Sequence, residues 1–235
     1  MINRIVASAE EAVAGIADGS VVMIGGFGDV GQPHHLINAL ADSGARELTV
    51  VANNAGSTAE SGVGKLIGNG QVRKMICSFP RFSKPFEERW AAREIELELV
   101  PQGSLAERIR AGGAGIAAFY TPTGYGTALA EGKDVRYFDG VPHVMELGLK
   151  ADVALLECWQ ADRWGNLRFR TSGRNFNPMM GLAARLTIVQ SQHVVELGDL
   201  HADDIHLPGV AVNRVVHIPY GDPAPASSTR ERSVA

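Results

Sequence analysis

The chain has 235 residues, 45% of them apolar and 20% charged, which is enough for one well-filled core. Its 22 basic and 26 acidic side chains give a formal net charge of −4 with no long block of either sign, so nucleic acid and an anionic membrane surface are not expected partners. Polar residues break up the apolar ones in MINRIVASAEEA, and no apolar stretch reaches the roughly 18 residues of a spanning helix, so a cytoplasmic protein is expected.

Ser8 and Glu11 have the spacing of a capping box, which predicts a first helix ending near Asp18-Gly19. Val21 to Ile24 is a short buried run that reads as a strand and leads into the loop Gly25-Gly26-Phe27-Gly28-Asp29-Val30-Gly31. Pro33 suits the start of a helix whose apolar face is Leu36, Ile37, Leu40 and Ala41, with Gly44 at its end. The unit then repeats. Leu48 to Ala52 is a strand, Asn53-Asn54-Ala55-Gly56 a loop, and a helix ends near Gly70 before the strand Val72 to Cys77. A helix around Phe86 to Arg93, a strand Ile95 to Val100 and a helix capped by Ser104 with Glu107 follow. This alternation predicts an α/β fold: an open, mostly parallel, Rossmann-like sheet with helices on both faces.

Beyond Phe119 the pattern changes. Thr121 to Thr127 is turn-rich, and Asp139-Gly140 between Val135-Arg136-Tyr137 and Val144-Met145 predicts a small hairpin laid on the main sheet. Strands are expected at Val153 to Cys158, Leu167 to Arg170, Leu186 to Val189 and near Val194, with a helix over Pro178 to Arg185. Residues 1–223 are taken as one domain and 224–235, poor in apolar side chains, as a mobile tail. Cys77 and Cys158 each close an apolar run and read as packing residues, and the seven histidines show no metal-ligand spacing.

Three loops could carry chemistry. Glycines at Gly25 to Gly31 let backbone approach an anion at a helix N-terminus, although a tight packing turn has the same composition. Asn53 and Asn54 offer amide donors without charge, and Gln102 of Pro101-Gln102-Gly103-Ser104 could donate to a developing oxyanion; each equally suits a polar turn. All three follow strand ends, where open sheets bind ligands. The glycine pattern is neither the dinucleotide fingerprint nor a P-loop, and no GxSxG or HExxH is present.

Asp18-Gly19, Val22-Met23-Ile24-Gly25-Gly26-Phe27, Gly31 and Pro33 resemble the signature of the A half of the family I coenzyme A transferases. Asn53-Asn54-Ala55-Gly56, Pro101 to Gly113, Tyr120 to Thr127, Asp162 to Leu167 and Val194 to Gly198 resemble further blocks of that family in the same order. The resemblance implies covalent catalysis, in which a glutamate attacks an acyl-CoA thioester and passes through a mixed anhydride to a glutamyl-CoA thioester. The family carries this glutamate in a Ser-Glu-Asn-Gly motif of its B half. That motif is absent here, so no catalytic nucleophile is expected in this chain and a B subunit is, in a heterodimer or heterotetramer. By resemblance, Gly25 to Gly31 bind CoA, while Asn53, Asn54 and Gln102 line the substrate pocket. Asp29, Val30 and Gln32 depart from the apolar or smaller residues usual in that loop. Cys77-Ser78-Phe79-Pro80-Arg81 looks like the 3-oxoadipate type, with Arg81 suited to a distal carboxylate. Succinyl-CoA is the implied donor, a substrate rather than a tightly bound cofactor. Acetoacetate or another short 3-oxo acid as acceptor, a non-catalytic acyl-CoA-binding module, and CoA-ester hydrolysis are the competing readings.

Overall fold

In a computed structural model, residues 2–219 are described; the expectation about a tail over 224–235 lies outside them. The chain enters through β1 (Ile5–Val6) and α1 (Ala9–Val13). It then alternates through β2 (Val21–Ile24), α2 (His34–Ser43), β3 (Leu48–Val51), α3 (Gly62–Gly68), β4 (Val72–Cys77), α4 (Lys84–Ala91), β5 (Glu96–Leu99) and α5 (Gln102–Gly113). Next come β6 (Ala118–Thr121), β7 (Val135–Phe138), β8 (Val141–Leu147), the long β9 (Ala151–Asp162), β10 (Leu167–Arg168), α6 (Asn177–Ala183), the equally long β11 (Ala184–Val195) and β12 (Arg214–His217).

Among the described residues, nine strands form one sheet in the order β1-β12-β11-β9-β2-β3-β4-β5, with β10 on the end of β9 as its single antiparallel member. Alternate side chains feed opposite faces. Val22, Ile24, Val50, Met75 and Leu155 meet α1 to α4 on one side, while Met23, Val51, Ile76, Ala154 and Leu156 meet α5 and α6 on the other. Each fully buried leucine or isoleucine in these layers contributes about 1.5–3 kcal/mol relative to exposure. Cys77 and Cys158 are packing residues, and burial pushes both thiols up to about 12. No helix among the described residues is long and apolar enough to cross a membrane.

Several local expectations change. Ser8 Oγ accepts from Glu11 N at 3.2 Å, but Glu11 reaches back to Ala7 N, and α1 stops at Val13 because Ala14 is extended and Gly15 left-handed at φ +88°. α5 starts at Gln102, directly after Pro101, so Ser104 lies inside the helix, enclosed and uncapping, and Glu107 pairs with Arg110. The two strands expected over 186–194 are one continuous strand, because polar Gln190 and Ser191, which broke the apolar pattern, are themselves buried. β1 and β12 were not foreseen.

The hairpin turns at Asp139-Gly140 (φ +49° and +77°) as expected, but it does not lie on the main sheet. β6, β8 and β7 form a separate three-stranded antiparallel sheet. A charge chain ties it to the body: Glu98 on β5 takes Lys74 at 2.6 Å and Arg108 at 2.8 Å, Arg108 approaches Glu146 at 3.8 Å, and Lys133 pairs with Glu146 at 2.6 Å. Burial pushes the Glu98 carboxyl up, but hydrogen bonds from Lys74 and Arg108 outweigh it and hold the group below its ordinary 4.5. A depressed folded-state value means the pairing stabilises the protein above the unfolded value and is lost as pH falls through the folded one. Glu98→Gln should therefore unfold at lower urea than wild type at neutral pH, with the two urea midpoints converging as pH falls through the lowered folded-state value of the carboxyl.

Candidate functional site

β2 leads through β3 and β4 to one edge of the sheet, whereas β9 leads through β11 to the other, so the order reverses between β2 and β9. In open α/β sheets the crevice beyond the carboxyl ends at such a reversal is where ligands bind. The glycine loop leaves β2 at this point.

β2 and β9 pair through Ile24↔Leu155, and Gly25 N still donates to Leu155 O at 3.0 Å. Phe27 and Val30 then bond to each other in both directions, at 3.0 and 3.2 Å, closing a two-residue turn with Gly28 and Asp29 at its tip. Phe27 and Val30 are 52% and 51% exposed, so the loop presents apolar side chains. Gly25 has no alternative, since a Cβ there would lie 1.9 Å from Asn177 Oδ1. Gly31 combines φ +74° with a Cβ position 2.8 Å from Gly173 O. The buried Gln32 secures the tip by donating from Nε2 to Gly28 O at 2.7 Å.

The amides expected to face an anion are largely engaged inside the protein. Those of Gly25, Gly26, Phe27 and Val30 all have internal acceptors. The N-terminus of α2 is likewise capped, because Gln190 Oε1 accepts from His35 N at 3.0 Å and Leu36 N at 3.3 Å. The loop is thus a rigid, apolar-tipped wall more than an open anion cradle.

Asn53 follows β3. Its backbone carbonyl accepts from Ser78 N and Phe79 N, both at 3.1 Å, which fixes it beside the end of β4. Asn53 is buried, with 6% relative exposure as a residue, and its carboxamide makes no hydrogen bond among the described residues. Asn54 is committed differently: its Oδ1 accepts from Gly56 N at 2.9 Å and shapes the turn. Gln102, the first residue of α5, is exposed and follows β5, three strands along the sheet from β2. Arg81 is exposed on the turn after β4 and is flanked by the exposed Phe79 and Phe82, whose rings are 5.8 Å apart. Asn53 and the glycine loop therefore follow neighbouring strands, Arg81 adjoins Asn53 through the β4 exit, and Gln102 follows β5 at the sheet's edge.

Four residues that hold this site were not singled out in the sequence. Asn177, fully buried, donates from Nδ2 to Gly31 O at 3.1 Å and Gly173 O at 3.0 Å, while its Oδ1 accepts from Glu157 N at 3.2 Å. Asn175 accepts from Gly26 N at 3.1 Å and donates to Val30 O at 3.0 Å. Glu157 Oε2 accepts from Gln190 Nε2 at 3.0 Å. The amide of Gln190 therefore has one orientation, its oxygen at the α2 terminus and its nitrogen at the carboxylate. The available signal was Glu157 itself, a charge within the apolar run 153–158, where charge is rarely placed without a purpose. A cavity of about 370 Å³ adjoins these residues and is lined by Val30, Gly31, Glu157, Trp159, Arg170 and Gln192, among others.

Residues 6–217 match the family model described as "Coenzyme A transferase". The chain is 52% identical over 220 residues to the A subunit of the 3-oxoadipate CoA-transferase of Pseudomonas putida, covering 93% of this chain and 95% of that one. It is also 52% identical over 211 residues to the A subunit of the succinyl-CoA:3-ketoacid coenzyme A transferase of Xanthomonas campestris pv. campestris, covering 89% and 87%. Among solved structures, the fold matches an acyl-CoA transferase of Escherichia coli O157:H7 with TM-score 0.82 at 21% identity, over 94% of this chain and 48% of that one. Glutaconate coenzyme A-transferase from Acidaminococcus fermentans matches with TM-score 0.80 at 20% identity, over 92% and 76%. This chain thus spans about half the length of the Escherichia coli protein.

Asn177→Ala should leave the carbonyls of Gly31 and Gly173 and the amide of Glu157 without their partner, costing about 1–3 kcal/mol per buried group left unpaired. The expected outcome is a lower urea midpoint together with faster hydrogen exchange over residues 25–31, measured by mass spectrometry.

Proposed function

Since the chain belongs to the coenzyme A transferase family, we propose that it is the A subunit of a two-subunit 3-oxoacid CoA-transferase that moves CoA from succinyl-CoA to a 3-oxo acid, with 3-oxoadipate the preferred acceptor. It works with a B subunit in a cytoplasmic heterodimer or heterotetramer. No tightly bound cofactor is required, because the CoA thioester is itself a substrate. The observation that carries this reading is the buried residue Asn53, whose carboxamide is unpaired among the described residues and which follows β3, the strand beside β2 and its glycine loop, at the sheet's reversal point.

The chemistry asks for such a group. A glutamate carboxylate from the B subunit, the nucleophile, attacks the thioester carbonyl, CoA leaves as the thiolate, and an acyl-glutamyl anhydride remains. The thiolate then attacks the glutamyl carbonyl and expels succinate, leaving glutamyl-CoA. The acceptor carboxylate repeats both steps in reverse. Every step passes through a tetrahedral oxyanion, which a neutral amide donor stabilises without holding the acid as a tight ion pair beforehand. The wall Gly25 to Gly31 would seat the CoA arm, Asn53 would donate to the oxyanion, and Gln102 and Asn54 would shape the acceptor side. Arg81, free to form two parallel bonds to a carboxylate, would select a dicarboxylic acceptor.

A second reading, acetoacetate or another short 3-oxo acid as acceptor, has the support of the equal identity to the Xanthomonas relative. Arg81→Ala separates the two. If Arg81 binds a distal carboxylate, its loss should raise KM for 3-oxoadipate roughly tenfold or more while changing that for acetoacetate little, as one charge-assisted pair predicts. Equal effects on both acids would remove the dicarboxylate preference.

The division of labour is tested by assaying the chain with its B partner and without it, and by trapping the thioester with borohydride. Activity should require both chains, and the reduced glutamate should lie in the B subunit. Full activity of this chain alone, with the label on Glu157, would place the nucleophile here instead.

A further inference from the structure

The turn between β4 and α4 carries a strained residue. Phe82 has φ +64°, in the left-handed region that suits glycine or asparagine and is an outlier for a bulky side chain. It is also 79% exposed, so no core packing within this chain offsets the strain. Neighbours hold the turn in place. Ser83 stands at the N-cap of α4, where a serine ordinarily caps the helix, yet its buried hydroxyl donates instead to Ala55 O at 2.8 Å. Glu87, in the first turn of α4, accepts from Phe82 N at 3.2 Å. Phe79 O accepts from Ala55 N at 3.4 Å. Both polar side chains at the start of the helix thus serve the turn, and Ser83 staples it to the loop Asn53 to Gly56.

The result is a pair of aromatic rings set out from the surface. Phe79 is 46% exposed, its ring centroid lies 5.8 Å from that of Phe82 with the planes tilted by 48°, and the exposed Arg81 stands between the two in sequence. Phe79 also bridges to Asn54, and the N–H groups of Ser78 and Phe79 donate to Asn53 O, so the pair is anchored on the segment that carries the unpaired Asn53 carboxamide. One turn and the loop beside it thereby offer a neutral amide donor, an apolar surface and a positive charge. That set of groups matches an acid with one reacting end, a short carbon segment and a second carboxylate.

Resting on the CoA-transfer reading above, we propose that Phe79 and Phe82 form an aromatic clip for the carbon segment of the acceptor acid, and that the strained backbone at Phe82 serves to present its ring. The 3-oxo end would face Asn53, the methylenes beyond it would lie against the two rings, and a distal carboxylate, where the acid has one, would reach Arg81. Phe79 and Phe82 are then specificity residues that select acids by length, whereas Arg81 selects by charge. Ser83 and Glu87 are positioning residues that keep Phe82 in its left-handed conformation.

The test uses the complete two-subunit enzyme with succinyl-CoA and three acceptors. Acetoacetate ends at the methyl beside its keto group, 3-oxohexanoate has a carbon segment but no second carboxylate, and 3-oxoadipate has both. Phe82→Asn should raise KM for 3-oxohexanoate and 3-oxoadipate by a similar factor, roughly fivefold, as expected when about two methylenes lose part of their apolar cover, and should raise that for acetoacetate least. Because asparagine accepts the left-handed backbone, the same variant should have a higher urea midpoint than wild type. A purely structural role predicts a lower midpoint with equal losses on all three acids, and that result would overturn the proposal. So would a loss confined to 3-oxoadipate, which belongs to charge alone, or weaker assembly with the B subunit, which would assign the rings to a subunit contact. Should Phe82→Asn fail to fold, Phe82→Gly, which also accepts the left-handed backbone, is read in the same way. A wild-type enzyme that transfers CoA to none of the three acids would instead defeat the CoA-transfer reading, which keeps the two failures apart.

Discussion

Where β2 stops pairing at Ile24, the exposed edge of β9 still presents the N–H of Glu157, and the side-chain oxygen of Asn177 takes over as its acceptor. A buried amide left unpaired costs about 1–3 kcal/mol, so the substitution of a side chain for a strand is energetically required at this point. It also sets the rest of the site. The same carboxamide holds Gly31, excludes any side chain at Gly25, and spaces the glycine loop away from β9 by the width of the cavity. One buried asparagine thereby converts the end of a parallel ladder into a shaped opening.

Much of the architecture was legible because its causes are local. Buried parallel strands read as short apolar runs, Gly44 ends α2 with φ +77°, and Val72 to Cys77 has the bounds found in the structure. What was hidden has non-local causes. α5 begins at Gln102 although Ser104 and Glu107 have the spacing of a cap, because Pro101 already turns the chain into the helix. β11 runs unbroken through Gln190 because its partners, Glu157 and the start of α2, come from distant segments. In the site, the glycines and Asn53 could be picked out by type and position. Asn175 and Asn177 could not, since an Asn-Phe-Asn-Pro turn carries no mark of what it will grip.

The two sides of the crevice divide the work unevenly. The β2–β9 side is rigid, with its backbone donors engaged and its apolar side chains turned outward, which suits holding a long substrate in one line. The β3–β4 side keeps Asn53 unpaired among the described residues and leaves Arg81 exposed, which suits adjustment to different acids.

β9 runs on for seven residues beyond Leu155, an arm of about 23 Å at the usual rise per residue. Side chains on such an arm alternate faces with a period of two, so inserting or losing one residue near its root would reverse the faces on which Glu157 and Trp159 stand. Length changes in this arm should be tolerable only in even numbers, and β11, in register with it from Ala184 to Val195, would have to change in step. The reach of the arm is therefore inherited in two-residue increments shared by two distant stretches of chain.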